Sequence, residues 1–235
     1  MKFYDSIIII SLVLTSYMLV SVYINHNMNK RNKRDLFVAY LILGIIVFSE
    51  WIGDIMKEYK IIKVIELSLT PVFPIIYANV VLNDIKTKNS ETRNMIKNML
   101  YLLLIFHALL ERISCECRLG FYAAENGYLY YGKLYIIYVI TYMISLIYFY
   151  SAMLKFNKYF QSKNIVSLIG IGIVGGIGSI IQLIKPELKV GWLCFIIASV
   201  LVYMYYTETA MYIDNLTGLL NQSAYKKRLE LIRKT

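Results

Sequence analysis

Residues 190–213 read VGWLCFIIASVLVYMYYTETAMYI, with no charge before Glu208. At a helical rise of 1.5 Å per residue this stretch is about 36 Å long, more than the ~30 Å of a bilayer's hydrocarbon core. Its apolar residues run on without the every-second-residue alternation of a barrel strand. In lipid, an open run of this kind must satisfy its backbone within itself, which makes it a helix. Working outward from it, six more runs share this character: Tyr4–Ile24, Leu36–Met56, Ile61–Asn83, Lys97–Ile113, Gly132–Leu154 and Ile165–Ile184. Lys97–Ile113 is the weakest, being short and carrying Lys97 and His107. Hydrophobic residues make up 58% of the chain and mean hydropathy is +0.56, too apolar for a water-bathed surface. The predicted fold is all-α: a seven-helix transmembrane bundle over residues 1–213, then a short cytoplasmic C-terminal helix within residues 214–235. Only Lys2 precedes the first run, Asp5 follows, and no small-x-small site comes after Val20, so it is read as a mature helix and not a cleaved signal.

Charge sets the orientation. With the N-terminus outside, the inner segments hold Lys30, Arg31, Lys33 and Arg34 in the first loop and Lys226, Lys227, Arg228, Arg233 and Lys234 in the tail. The whole formal net charge of +10 then lies inside and the outer segments sum to zero. Lys and Arg bias of this sign is the topological rule of bacterial inner membranes, and it rests chiefly on the first loop and the tail. Basic residues beside spans also suit anionic lipid headgroups, so the pI of about 9.3 is assigned to the bilayer, the expected partner, and not to nucleic acid.

After the last span come Asp214, Asn215, Leu216, Thr217, Gly218, Leu219, Leu220, Asn221, Gln222, Ser223, Ala224 and Tyr225. Asp214 and Thr217 can bond freed backbone donors, Gly218 permits a turn, and Asn221 can cap a helix over Gln222–Arg233. The string resembles the opening D-x-L-T-G-L-x-N-R of the GGDEF domain of bacterial diguanylate cyclases, matched at Asp214, Leu216, Thr217, Gly218, Leu219, Asn221 and the later aromatic Tyr225. Gln222 replaces the usual Arg. The resemblance implies that residues 214–235 begin a GGDEF domain, that the last span, through Tyr205, Glu208 and Met211, is a transmission rod, and that the parent works as a homodimer. The GG-D/E-EF loop and its metal carboxylates are not among these residues, so this chain alone is expected to be no enzyme. The membrane part looks like the N-terminal seven-helix region of sensor histidine kinases and cyclases, through Pro71 and Pro74, a glycine-rich sixth span, Pro186, and Gly191-Trp192.

Ionisable side chains at membrane depth mark candidate sites. Glu50, Asp54, Glu66, His107, Glu111 and Arg112 lie towards the outer ends of their spans, with Glu50/Asp54 and His107/Glu111 four apart on one face. They read either as an outward-opening pocket for a small-molecule or lipid ligand, or as interfacial pairing and snorkelling. Cys115 or Cys117 with Cys194 could form a disulfide in an oxidising exterior, or all stay thiols. Cys115, Cys117 and His107 match no common zinc spacing, and neither metal nor cofactor is expected. Gly170, Gly172 and Gly175 spell G-x-G-x-x-G, but inside an apolar run with no strand before it. Gly172 and Gly176 as G-x-x-x-G point instead to close helix packing, within the bundle or across a dimer. The 22 tyrosines are read as headgroup anchors, notably Tyr128, Tyr130 and Tyr131. No lysine lies in 190–213, which excludes a retinal Schiff base.

The leading expectation is a sensory, signal-transducing membrane module; the rival is a transporter or channel, for which Pro71 and Pro74 are the hint. A lipid-acting enzyme is disfavoured because the 2 histidines, His26 and His107, fall on opposite sides. A fluorescent-protein and alkaline-phosphatase pair fused after Thr235 checks the topology: fluorescence without phosphatase activity is expected, and the reverse would place the tail outside.

Overall fold

A computed structural model describes residues 3–26, 28–56, 59–83, 85, 90–117, 119, 121–123, 129–160, 165–184, 190–210, 221, 222 and 225. Among them are the helices α1 (Phe3–Ile24), α2 (Lys30–Met56), α3 (Tyr59–Leu69), α4 (Val72–Asn83), α5 (Ser90–Glu116), α6 (Tyr135–Phe160), α7 (Ile165–Ile184) and α8 (Val190–Ala210). A three-residue antiparallel hairpin, β1 (Phe121–Ala123) with β2 (Leu129–Tyr131), is the other regular element described. The molecule is thus all-helical in substance. The C-terminal helix lies outside the described residues except at Asn221, Gln222 and Tyr225, where the Tyr225 amide donates to the Asn221 carbonyl across one turn.

The helices show which solvent they are built for. In α1, Ile8, Ser11, Thr15, Met18 and Val22 are buried, a stripe at steps of three and four, while Val13, Tyr17, Val20 and Tyr23 point outward. Helix α5 makes the point from its polarity. His107, Glu111 and Ser114 are buried, whereas Met99, Leu102, Ile105, Phe106, Leu109 and Ile113 are exposed. A water-facing helix would be turned the other way, and an apolar exterior this continuous is rare on a soluble monomer. Five spans are long and apolar enough to cross a bilayer: Asp5–Ile24, Lys30–Gly53, Ile61–Asn83, Tyr135–Lys158 and Val190–Glu208. These are the features of a membrane protein. Helices α5 and α7 fall outside that set, which covers the described residues.

The expected single helix over Ile61–Asn83 is instead two, α3 and α4, broken at Thr70-Pro71. Proline has no amide hydrogen and its ring collides with the carbonyl four residues back. Pro74 sits in the first turn of α4, where a missing donor costs little.

Helix α4 lies against α2, α5 and α6, α1 against α2 and α8, and α7 against α8. The core so enclosed includes Met18, Tyr40, Tyr77, Phe156, Ile196 and Tyr206. The glycine contacts on α7 differ from expectation. A side chain at Gly176 would meet nothing within 4 Å, and one at Gly172 would meet the Tyr150 hydroxyl at 2.9 Å. The close approach to α8 is made by Gly178, where a Cβ would overlap that of Cys194 and lie 2.8 Å from its Sγ, with Gly175 against Ala198 at 3.8 Å. Helix α7 meets α8 through the Gly175–Gly178 edge, which lies about 100° round the helix from the G-x-x-x-G face read in the sequence.

Unfolding in detergent tests this assignment. Gly178→Ala should destabilise by about 1–3 kcal/mol through overpacking, Gly176→Ala should stay within about 0.5 kcal/mol of the parent, and Cys194→Gly should restore most of the Gly178→Ala loss. Equal effects at Gly176 and Gly178 would refute it.

Candidate functional site

The break at Pro71 builds the first polar site. In an unbroken helix the amide of residue 71 would donate to the Leu67 carbonyl; proline leaves that acceptor over where water is scarce. His107 of α5, fully buried, supplies the missing donor, its Nε2 lying 3.2 Å from the Leu67 oxygen. A neutral ring donating through Nε2 keeps Nδ1 as an acceptor. That Nδ1 is 3.9 Å from Glu111 Oε1, one turn on. Neither Nδ1 nor Glu111 Oε2 has a hydrogen-bond partner among the described residues.

Tyr138 of α6 closes the group. Its ring lies 6.0 Å from that of His107, and it stands beside Thr70 and Glu66 of the α3 segment. The Thr70 hydroxyl donates to the Glu66 carbonyl at 2.7 Å, and Lys63 Nζ meets Glu66 Oε1 at 2.6 Å. Both partners of this ion pair are largely shielded, so removing one would leave a charge in a poor dielectric.

Of the candidate residues, Glu66 and His107 both stand beside Tyr138, and Glu111 stands beside His107. Glu50 is buried on α2, which packs on α3. Arg112 is exposed, and the side chain of Asp54 lies outside the described residues. Sequence reasoning missed Thr70 and Tyr138, and with them the carbonyl at Leu67. The signal was available in the spacing: a proline at 71 orphans residue 67, and a histidine in a neighbouring span is a fitting donor.

A second polar group ties α2 and α4 to α8. The hydroxyls of Tyr40 (α2) and Tyr77 (α4) are 2.5 Å apart, and both reach the Ser199 carbonyl of α8, at 3.0 and 3.2 Å. Two protons serve three approaches, so the pair must donate in relay to that carbonyl. Closer to the C-terminal end of α8, Asn25 Nδ2 donates to the Tyr203 hydroxyl at 3.0 Å and Asn32 Nδ2 to the Tyr206 hydroxyl at 2.8 Å. Asn83 Nδ2 donates in turn to Asn32 Oδ1 at 3.1 Å, and the Tyr205 hydroxyl donates to Asn157 Oδ1 at 2.8 Å. Helix α8 is thereby hydrogen-bonded to α1, α2, α4 and α6.

Tyr40 and Tyr77 are buried core residues and not headgroup anchors, which corrects the sequence reading for them; their hydroxyls need partners there because no water competes. Tyr130 and Tyr131 belong to β2. Cys117 and Cys194 are both thiols; the side chain of Cys115 is outside the described residues. Of the signal-transmission motif, Asp214, Leu216, Thr217, Gly218 and Leu219 also lie outside them, while Asn221 accepts the Tyr225 amide.

A double-mutant cycle checks the His107 site. His107→Ala should cost about 1–3 kcal/mol by stranding the Leu67 carbonyl. In a Pro71→Ala background, where residue 71 again has an N–H, the same change should cost about 1 kcal/mol less. Equal costs in both backgrounds, measured by equilibrium unfolding, would show that His107 does not serve that carbonyl.

Comparison with family models, with curated proteins and with solved structures finds no match to this chain.

Proposed function

We propose that this chain is the membrane-embedded input module of a bacterial signalling protein, crossing the inner membrane seven times with its N-terminus outside. It would pass a cue to a cytoplasmic diguanylate cyclase that begins at Asp214. The observation that carries this reading is the D-x-L-T-G-L-x-N string, Asp214 to Asn221, a few residues beyond the end of α8 at Ala210. The polar ties from α8 to four other helices support it, because a change in packing at any of them bears on the same rod.

In this mechanism the bundle has two packings, and a cue that binds them unequally shifts their populations. Helix α8 turns or slides with the shift. Two cyclase domains, brought together by homodimerisation, then meet at a different angle. The chain's own role is transmission; the chemistry belongs to the catalytic part that follows the motif in such proteins.

A transporter is the second reading, favoured by the broken third span and the buried Glu66, His107 and Glu111. Against it, the carbonyl freed by the break is already bonded to His107 and so does not face a substrate path.

Helical phase tests the signalling account. With a GGDEF catalytic domain joined in register after Thr235, inserting one residue after Glu208 turns everything downstream by about 100°, whereas seven residues return it to nearly the same face. Cyclic di-GMP output is expected to change several-fold with one residue and to recover towards the parent with seven. Output indifferent to both insertions would contradict transmission through α8.

A further inference from the structure

Helices α6 and α7 enclose a cavity of about 410 Å³, floored by α4 and α8. Phe73, Phe149, Ile171 and Phe195 supply its apolar walls, and Gly172, Gly175 and Gly176 flatten the α7 side. The gap follows from the packing: α7 leans on α8 and α6 on α4. Among the glycines, Gly176 faces open space. The volume equals about a dozen water molecules, but such walls give water few partners, and apolar cavities of this kind stay dry or take apolar guests.

We propose that this cavity binds a single hydrocarbon chain, and that the chain's arrival or departure is the cue. The second half rests on the signalling reading above; the binding site does not. Three observations favour this occupant. The cavity lies among membrane-spanning segments, and at its rim Met143 and Gly176 are exposed, with Ile173 and Ile177 exposed beside them on α7. Its mouth therefore opens sideways onto the surface that lipid covers. The walls are mostly apolar and uncharged, and the few hydroxyls among them, those of Tyr77, Tyr142, Tyr150 and Ser199, would replace little of the hydration that a charged guest loses. A second copy's helix is too wide, since one turn about 10 Å across would use up the whole space.

The position also explains how a chain could act. Tyr77 and Ser199 both line the cavity, and they are two corners of the contact between α2, α4 and α8. A chain pressed against them changes the packing of α8 at the point where Tyr40 and Tyr77 hold its backbone.

Photolabelling tests the site. The full chain in nanodiscs is irradiated with either a palmitic acid analogue carrying a mid-chain diazirine or a phosphatidylcholine bearing the same chain. Label should concentrate in the peptides containing 143–150 and 171–176. Gly176→Phe, which projects a ring into the space, should cut that labelling about tenfold, while Ile9→Phe on the exposed face of α1 leaves it unchanged. Met143→Trp at the rim provides the same block should Gly176→Phe fail to fold. Labelling by the free acid alone identifies an unesterified chain and labelling by the phospholipid identifies the bilayer's own; both support the site. Label spread evenly over exposed positions such as Ile9, Val13 and Leu102, or unmoved by either blocking variant, overturns it. Binding with no response to the phase insertions would instead sink the signalling account and leave the site standing.

Discussion

A hydroxyl or carbonyl buried in hydrocarbon has no water to fall back on, and the arrangement of Tyr40, Tyr77 and Ser199 follows from that single constraint. Each phenol brings one proton and must place it: one hydroxyl donates to the other, which donates to the Ser199 carbonyl, 3.0 and 3.2 Å from the two oxygens and with a lone pair beyond its helical bond. Three helices are fixed to one another because none of these groups has an alternative. The Asn25, Asn32 and Asn157 contacts to Tyr203, Tyr206 and Tyr205 repeat the logic towards the C-terminal end of α8, so that this helix is held at several levels. In water such bonds would be exchanged for solvent at little cost. In a bilayer, breaking one costs more, unless another partner stands ready.

The break between α3 and α4 applies the same constraint to the backbone. Pro71 removes a donor, Leu67 is left with an acceptor, and His107 crosses from α5 to meet it. The side chain is thus committed through Nε2, which fixes where Nδ1 points and sets it beside Glu111. The polar core of α5 and its apolar exterior are two results of one rule: polar groups turn to the protein, and hydrocarbon is left for the lipid.

Much of the fold was legible from the sequence because span length and hydropathy are local properties. The runs at Tyr4–Ile24, Leu36–Met56 and Val190–Ile213 overlap α1, α2 and α8 closely. The break in Ile61–Asn83 was readable in principle at Pro71. The packing was harder to read. G-x-x-x-G at Gly172 and Gly176 names a helix face without naming the neighbour, and α8 docks on the edge at Gly175 and Gly178 instead. Of the proposed pocket, Glu66, His107 and Glu111 were identifiable as ionisable residues at depth. Thr70 and Tyr138, neutral and common, carried no mark of their role until the helices that bear them were placed together. The tyrosines illustrate the limit best: composition cannot tell a ring at the headgroups from one whose hydroxyl closes a bond between three helices.

The central claim is that hydrogen bonds from Tyr40 and Tyr77 hold α8 in position. It is tested most directly by measuring the distance between nitroxides carried on noncanonical residues at Asn29 and Glu208, by pulsed electron resonance in nanodiscs, for the parent and for Tyr40→Phe/Tyr77→Phe. A narrow distribution in the parent that shifts or broadens in the double variant is the expected result. Superimposable distributions would mean that α8 is held by packing alone, and would contradict the account.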